Sequence, residues 1–267
     1  MAADSSAEPV AGATAENAPD AAPDAFLGGR LTLFQPAAGY RAAIDSVLLA
    51  AAVPAAPGER LLELGLGSGA AALCLLARVP GCRVVGLELQ PLLAALARRN
   101  AATNGLAGRL EVVEGDLRRL PAALGRGYDR VFANPPFHEA ASPAPDAQRA
   151  AAHHLAAGSL ADWVGAALRC LRPRGTLSLI LRADRLPEVL AALAGRAGDL
   201  RLLPLWPKPQ RPARRLLLQA RKGARAPLTL LPGMLLHEPD GRFTLAAEAV
   251  LRDAAALPLA AEGPADA

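Results

Sequence analysis

The hydrophobic pattern of the chain changes near residue 26. Residues 1–25 consist chiefly of Ala, Pro, Asp, Glu and Ser without an apolar period, which predicts a disordered tail. Beyond it, four apolar side chains fall at i, i+3, i+4 and i+7, the spacing of one helix face. These residues are Ile44, Val47, Leu48 and Ala51.

From residue 57 onward, short apolar runs alternate with amphipathic segments. The runs predict strands at 60–64, 83–89, 109–114, 129–133 and 176–181, and the amphipathic segments predict helices at about 70–78, 91–104 and 160–171. Strand–helix alternation at this spacing implies right-handed crossovers, and therefore a parallel sheet with helices on both faces.

A last pair of apolar runs, 200–205 and 214–220, has only a proline-rich loop between its members. Because no crossover helix separates them, they predict an antiparallel hairpin at the sheet edge. The fold class is therefore α/β, a doubly wound and mostly parallel seven-stranded sheet. The predicted organisation is a tail at 1–25, an N-terminal segment with a helix at 26–56, a sheet domain at 57–223 and a C-terminal extension at 224–267.

Composition narrows the class of protein. No run of 18 uncharged apolar residues occurs, so we expect no membrane span. The N-terminal residues carry acids and no base before Arg30, which is not the pattern of a secretory signal peptide. Three scattered cysteines form no CxxC pair, which argues against a disulfide framework or a cysteine zinc site. We expect a soluble cytoplasmic protein without a bound metal.

Charge is distributed unevenly along the 267 residues. The net charge is +4, but residues 1–25 hold five acids and no base, so the remainder carries 29 basic and 20 acidic side chains. Residues 196–225 contain nine basic side chains and one acid, Asp199. Such a field attracts polyanions. Charge alone favours an RNA-binding face and a merely solvated surface about equally.

A glycine-rich turn follows the first strand of the predicted sheet. It contains Gly65, Gly67 and Gly69 and leads directly into a helix. Glycines at a strand-to-helix turn let the backbone approach a ligand without a Cβ in the way. The spacing is GxGxG and not the dinucleotide GxGxxG, so a tight packing turn is an alternative.

Acidic residues stand at the ends of the next two strands. Glu88 ends the second strand, where a carboxylate can accept hydrogen bonds from both hydroxyls of a ribose. Asp116 follows the third strand, where it can meet the exocyclic amine of an adenine. Because the carboxyl ends of parallel strands share one crevice, these residues predict a nucleoside-binding site.

The fourth strand ends in Asn134-Pro135-Pro136-Phe137. The prolines fix φ and remove two N–H donors, so the local backbone offers acceptors only. The Asn134 side-chain oxygen and the Pro135 carbonyl can accept both N–H bonds of a planar amine and direct its lone pair at an electrophile. Phe137 can stack on the attached ring. We therefore take these four residues as candidate catalytic residues.

The stretch 63–137 resembles class I S-adenosylmethionine-dependent methyltransferases of the NPPF/Y amino-methylating group. More narrowly, residues 26–252 resemble the bacterial tRNA(Val) adenine N6-methyltransferase family, whose target is the adenine just 3′ of the anticodon. The matches outside the sheet are Gln35-Pro36, Gly39-Tyr40-Arg41, Asp45 and Leu48-Leu49-Ala50 near the start, and Arg221-Lys222-Gly223, Ala226-Pro227, Leu236-His237, Asp240-Gly241, Thr244 and Glu248 near the end.

The resemblance implies a methyl donor, S-adenosylmethionine, and an RNA substrate, expected to be a tRNA anticodon loop. The residues that it assigns to the donor are Arg41, Asp45, Glu63, Gly65, Gly67, Gly69, Glu88, Leu89, Asp116, Leu117 and Asn134. The basic hairpin would hold the RNA through phosphate contacts, for which the candidates are Arg211, Arg214, Arg215 and Lys222.

Several alternatives stay open on the sequence. Asn-Pro-Pro-Phe followed by His138 also resembles ribosomal guanine N2-methyltransferases, so guanine N2 in rRNA competes with adenine N6. DNA adenine or a protein glutamine amide could be the acceptor, although the first would normally need a further recognition domain. A nucleic-acid-binding module without catalysis is the last alternative. The pair His153-His154 has no nearby metal-ligand partners, so it does not predict a metal site.

Overall fold

The computed structural model describes residues 23–36, 41–136 and 158–259. Strand β1 (Pro23–Phe26) pairs antiparallel with β2 (Leu31–Phe34), with Pro23 opposite Phe34. The prediction of a disordered tail up to residue 25 is therefore wrong for residues 23–25. Leu31 and Leu33 lie in the core and fix the hairpin against the domain.

The predicted helix of the N-terminal segment is confirmed as α1 (Ile44–Ala52). The strand–helix alternation that follows it is also confirmed, with ends within a few residues of those expected, except that the fifth strand is longer at both ends. The elements are β3 (Arg60–Leu64), α2 (Ala70–Arg78), β4 (Arg83–Glu88), α3 (Pro91–Thr103), β5 (Leu110–Glu114), β6 (Tyr128–Ala133), α4 (Leu160–Cys170) and β7 (Leu171–Arg182).

The C-terminal third contains the predicted hairpin and several elements that the pattern did not reveal. The hairpin strands are β8 (Ala197–Trp206) and β9 (Arg215–Lys222). The additional elements are α5 (Leu186–Leu193), β10 (Thr229–Leu230), β11 (Met234–Leu235) and α6 (Leu245–Asp253). Strands of two residues are too short to leave a periodic signal in the sequence.

The central sheet has the order β10-β8-β9-β7-β6-β3-β4-β5, and β11 also pairs with β8. It therefore contains nine strands, because β10 and β11 extend the seven that were predicted. Strands β3 to β7 are mutually parallel, whereas β9 is antiparallel to both β7 and β8. The extension from residue 224 thus continues the same sheet.

The direction of β8 decides where the hairpin loop lies. Two successive antiparallel pairings make β8 run in the same direction as β7. Strand β8 therefore ends on the side of the sheet where β3 to β7 also end, which we call the carboxyl edge. The connecting loop 207–214 lies at this carboxyl edge. The start of β8 and the end of β9 lie at the opposite edge, where β3 to β7 begin.

Apolar side chains cover both faces of the sheet. In β3, Leu61 packs into the cluster with α1 and α2, whereas Leu62 and Leu64 pack into the cluster with α4. This alternation follows the two-residue period of a strand, and it explains why apolar residues occur on both faces of β3. Within the described residues, no helix has the length and apolarity that crossing a membrane requires.

Candidate active site

The register of the sheet brings the predicted site residues together. Leu64 at the end of β3 pairs with Leu87 of β4 on one side and with Ala133 of β6 on the other. The residues that follow these three positions are Gly65, Glu88 and Asn134. From β3 the chain adds β4 and β5 on one side and then β6 and β7 on the other. Open α/β sheets bind their ligands at such a switch point.

The glycines of the loop after β3 serve different purposes. Gly65 and Gly67 both have positive φ, at 69° and 59°. A Cβ on Gly65 would lie 2.4 Å from the Trp163 ring, whereas a Cβ on Gly67 would meet no atom within 4 Å. Gly65 is therefore required for the packing of Trp163 on α4. Gly67 leaves its backbone open to a ligand.

Glu88 presents a buried carboxylate beside this loop. Its side chain accepts backbone hydrogen bonds from Gly67 N at 2.7 Å and from Gln90 N at 2.9 Å. The residue is 5% exposed, and no cation among the described residues pairs with it. Burial raises the pKa of this carboxyl. Its remaining lone pairs suit a ligand that donates from hydroxyl groups.

Glu63, the residue before the last of β3, is buried at 3% exposure. Its carboxylate accepts a hydrogen bond from Ala72 N in the first turn of α2, at 2.9 Å. Burial raises the pKa of Glu63 well above its usual value, and the nearby charge of Glu88 raises it further. The structure therefore places Glu63 where it anchors the first turn of α2, which follows the glycine loop.

The end of β5 carries Asp116 and Leu117. Asp116 caps a short helical turn at Leu117–Arg119 by accepting from Arg118 N at 2.8 Å. The Arg118 guanidinium also binds both carboxylate oxygens, which lowers the pKa of Asp116. Leu117 is buried, whereas Leu89, next to Glu88, is 41% exposed. An exposed leucine beside a buried carboxylate suits a ligand with both apolar and hydroxyl parts.

Asn134 and Pro135 follow β6 directly, at the same carboxyl edge. Asn134 is half-buried, Pro135 is buried and Pro136 is exposed. Phe137 and His138 lie outside the described residues. Because β6 and β4 flank β3 on opposite sides, Asn134 and Pro135 lie on one side of Gly65 and Glu88 lies on the other.

The structure places Arg41 and Asp45 in ion pairs that fix the N-terminal segment. Arg41 binds the Asp24 carboxylate of β1, and Asp45 accepts from Arg215 Nε of β9 at 3.1 Å. Gln35, 2% exposed, adds hydrogen bonds to Asp24 and to Ala42 N. Arg41 and Asp45 thus have protein partners, and their assignment to the donor stays a prediction.

The four predicted RNA contacts separate into two groups. Arg211 and Arg214 are exposed in the loop 207–214 at the carboxyl edge. Arg215 pairs with Asp45, and Lys222 lies at the opposite edge, where its Nζ donates to Leu171 O at 2.6 Å. Both cations thus join elements of the domain, and their contact with RNA stays a prediction.

Asn100 is a functional candidate that the sequence analysis missed. It lies on α3, is fully buried and donates through Nδ2 to Ser68 O and to Phe34 O, both at 2.9 Å. Its Oδ1 accepts from Phe34 N at 2.8 Å. The sequence contained one signal for this role: Asn100 is a polar residue on the face of α3 that is otherwise apolar. It joins β2 to the glycine loop.

A metal-ligand cluster is not found in the described ranges, where no three His, Cys, Asp or Glu side chains converge. The three cysteines are all buried and unbridged. His138, His153 and His154 lie outside these ranges. His237, the remaining histidine, contacts Pro207 O at 3.0 Å and stacks on Phe243 near β11.

Comparison with known proteins agrees with this arrangement. The family described as "Methyltransferase domain" matches residues 61–175, from β3 into β7. A solved structure described as a predicted O-methyltransferase from Agrobacterium tumefaciens superposes with a TM-score of 0.69 at 29% identity, covering 80% of this chain and 98% of that one. This similarity confirms the α/β methyltransferase fold.

Two curated relatives carry the name tRNA1(Val) (adenine(37)-N6)-methyltransferase. The relative from Porphyromonas gingivalis is 31% identical over 233 residues, which is 83% of this chain and 91% of the relative. The relative from Dickeya chrysanthemi is 30% identical over 220 residues, 78% of this chain and 85% of the relative. These matches cover most of both chains, much more than the motifs between residues 63 and 137, and the chain belongs to the tRNA1(Val) (adenine(37)-N6)-methyltransferase family.

Proposed function

We propose that this protein transfers a methyl group from S-adenosylmethionine to N6 of an adenine in a tRNA anticodon loop. The observation that carries the proposal is the position of Asn134-Pro135-Pro136 at the end of β6, directly beside the glycine loop of β3. Membership of a family whose relatives bear the name tRNA1(Val) (adenine(37)-N6)-methyltransferase supports the choice of substrate. A tRNA substrate also implies a cytoplasmic protein.

The residues on the β3, β4 and β5 side of the crevice fit the donor. Gly67 leaves its backbone open, and Glu88 offers carboxylate lone pairs for the ribose hydroxyls. Leu89 and Asp116 with Leu117 would flank the adenine, while Glu63 and Gly65 keep the loop in place. When bound there, S-adenosylmethionine supplies an electrophilic methyl group on a sulfonium.

The residues on the β6 side fit the acceptor. An amine attached to an aromatic base is a weak nucleophile, because its lone pair is delocalised into the ring. Asn134 Oδ1 and the Pro135 carbonyl would accept its two N–H bonds and align the lone pair with the methyl group. Such alignment accelerates transfer without a basic side chain. The proton leaves the amine after the new N–C bond has formed.

The base must be unstacked to enter this crevice. Enzymes that act on a base pay the cost of unstacking it, and that cost is low in a single-stranded loop. An anticodon-loop adenine satisfies this condition. Exposed Arg211 and Arg214, at the same edge of the sheet as Asn134, would contact phosphates of the loop.

The proposal is tested by incubating the purified protein with unmodified tRNA(Val) transcript and methyl-labelled S-adenosylmethionine. Nucleoside mass spectrometry should recover labelled N6-methyladenosine, and a matched reaction with Asn134→Ala should give none. Recovery of labelled N2-methylguanosine without N6-methyladenosine would overturn the choice of base. Donor binding without methylation of any nucleoside would overturn the choice of an RNA substrate.

A further inference from the structure

An open cleft lies at the carboxyl edge, outward along the sheet from Asn134. Its volume is about 330 Å³, within the range of roughly 300–1,000 Å³ that is typical of small-molecule sites. No acidic side chain occurs among its described lining residues. These are Trp206, Lys208, Pro209, Gln210, Arg211, Pro212 and Leu235.

The Trp206 ring is held in a defined position at this cleft. Its Nε1 donates to Pro232 O at 3.2 Å. A Cβ on Gly233 would lie 2.4 Å from Nε1, so the absence of a side chain there lets the ring edge approach the backbone. Leu235 pairs with Trp206 in register. The ring is thus packed on one side while remaining partly exposed.

Two cations accompany this aromatic ring. Lys208 and Arg211 lie in one turn, closed by a hydrogen bond from Arg211 N to Lys208 O at 3.2 Å. Lys208 Nζ lies 3.4 Å from Pro239 O. Asp240 of that segment is paired with Arg242 at 2.7 Å, and Arg242, helped by the charge of Lys208, lowers the pKa of Asp240. The cleft therefore combines an aromatic surface with two basic side chains, and its described lining contains no acid.

The position of the cleft relates it to the candidate active site. Between β8 and β6 lie the strands β9 and β7, so three inter-strand spacings, about 14 Å in all, separate the two positions across the sheet. Both lie at the carboxyl edge. A short stretch of single-stranded RNA can span this separation and contact both positions.

We propose that the Trp206 cleft binds a second nucleotide of the RNA substrate, a few residues along the strand from the methylated base. Its base stacks on the Trp206 ring, and its phosphate contacts Lys208 or Arg211. Aromatic rings beside basic side chains are the general means of holding single-stranded nucleic acid. This inference rests on the proposed function, because it takes the substrate to be RNA.

The test is equilibrium binding of an unmodified tRNA(Val) transcript to the full chain. Stacking predicts that Trp206→Ala weakens binding about 5- to 150-fold, whereas Trp206→Phe, which keeps an aromatic ring, retains most of the affinity. Leu230→Ala is the matched control, since Leu230 is exposed on β10, pairs with Leu202 in the middle of β8 and does not line the cleft. A second readout is quenching of tryptophan emission by the RNA, expected in the wild type and reduced in Trp206→Phe to the contribution of the buried Trp163.

The outcomes separate this inference from the proposed function. Weaker binding by Trp206→Ala, with quenching that depends on Trp206, supports the cleft. Methylation of adenine with equal RNA affinity in wild type and Trp206→Ala overturns the cleft and leaves the proposed function intact. A wild-type protein that neither binds nor methylates the transcript overturns both. Because Trp206→Phe preserves the ring, the quenching result remains decisive even where Trp206→Ala fails to fold.

Discussion

Asn100 pairs with the backbone of Phe34 much as a neighbouring strand would, accepting from Phe34 N at 2.8 Å and donating to Phe34 O at 2.9 Å. The same amide nitrogen donates to Ser68 O in the glycine loop. One buried side chain therefore connects the N-terminal hairpin with the loop that we propose to hold the donor.

The first prediction concerns this connection. Asn100→Ala leaves buried backbone groups of Phe34 and Ser68 without their partner, which should lower the free energy of unfolding by about 1–3 kcal/mol. It should also weaken binding of S-adenosylmethionine, because the glycine loop loses a support. Urea unfolding and titration calorimetry measure the two effects.

Asn104→Ala is the matched control for that variant. Asn104 makes the equivalent pair of bonds with Thr32 one helical turn later but does not contact the glycine loop. The Asn104→Ala variant should have a lower free energy of unfolding than the wild type and the same affinity for S-adenosylmethionine. If the Asn104 and Asn100 variants weaken donor binding equally, Asn100 has no special relation to the loop.

The second prediction assigns the ribose to Glu88. Glu88→Ala should weaken donor binding by about tenfold or more, since charge-assisted hydrogen bonds contribute roughly 1.5–3 kcal/mol. Glu114→Ala, at the paired position of β5 but in an exposed ion pair with Arg98, should have little effect. Unchanged calorimetric affinity in Glu88→Ala would refute the assignment.

The third prediction distinguishes alignment of the target amine from binding of S-adenosylmethionine. Asn134→Ala should reduce kcat severely while leaving donor affinity nearly unchanged, because the Asn134 side chain serves the aligned target amine. Single-turnover assays with saturating donor and RNA measure the chemical step. A variant with normal kcat would show that another group aligns the amine.

The fourth prediction follows from the raised pKa of Glu63. Since this carboxyl holds its proton more strongly when folded than when unfolded, the folded state binds more protons between the two pKa values. Stability should therefore fall as pH rises from the ordinary value of 4.5 through the folded pKa. Glu63→Gln should flatten this dependence in urea unfolding, whereas Glu188→Gln, exposed on α5, should leave it as in the wild type.

The fifth prediction tests the division of basic residues between the two edges. Reversing charge at Arg211 and Arg214 should weaken RNA binding and reduce its salt dependence. Reversing charge at Arg126 and Arg225, which are exposed at the opposite edge, makes the same change in net charge and should have a smaller effect. Equal losses in both double variants would mean that only net charge matters.

The parallel sheet and its order of strand ends were predictable, because a strand buried on both faces leaves a continuous apolar run. Leu61, Leu62 and Leu64 of β3 and Val131-Phe132-Ala133 of β6 form most of two such runs, and the residues after them form the crevice. By contrast, Thr229–Leu230 and Met234–Leu235 are held by pairing with β8 and carry no periodic signal of their own.

Side-chain partners were the least predictable part of the site. The sequence suggests a donor contact for Asp45 and an RNA contact for Arg215, but it does not reveal that these residues, 170 positions apart, pair with each other. Long-range ion pairs depend on how helices and strands pack, which local patterns do not encode. The role of Asn100 was hidden for the same reason.

The orientation of β8 has a consequence for how specificity can change. The loop 207–214 is anchored at both ends by the β8–β9 ladder, and two strands, β7 and β6, lie between this hairpin and the β3 strand that carries the glycine loop. Its length and composition can therefore drift without disturbing the donor crevice. The hairpin loop can thus be exchanged between related enzymes. Grafting it should transfer the RNA preference of the source enzyme, while binding of the methyl donor and methyl transfer remain those of the enzyme that receives it.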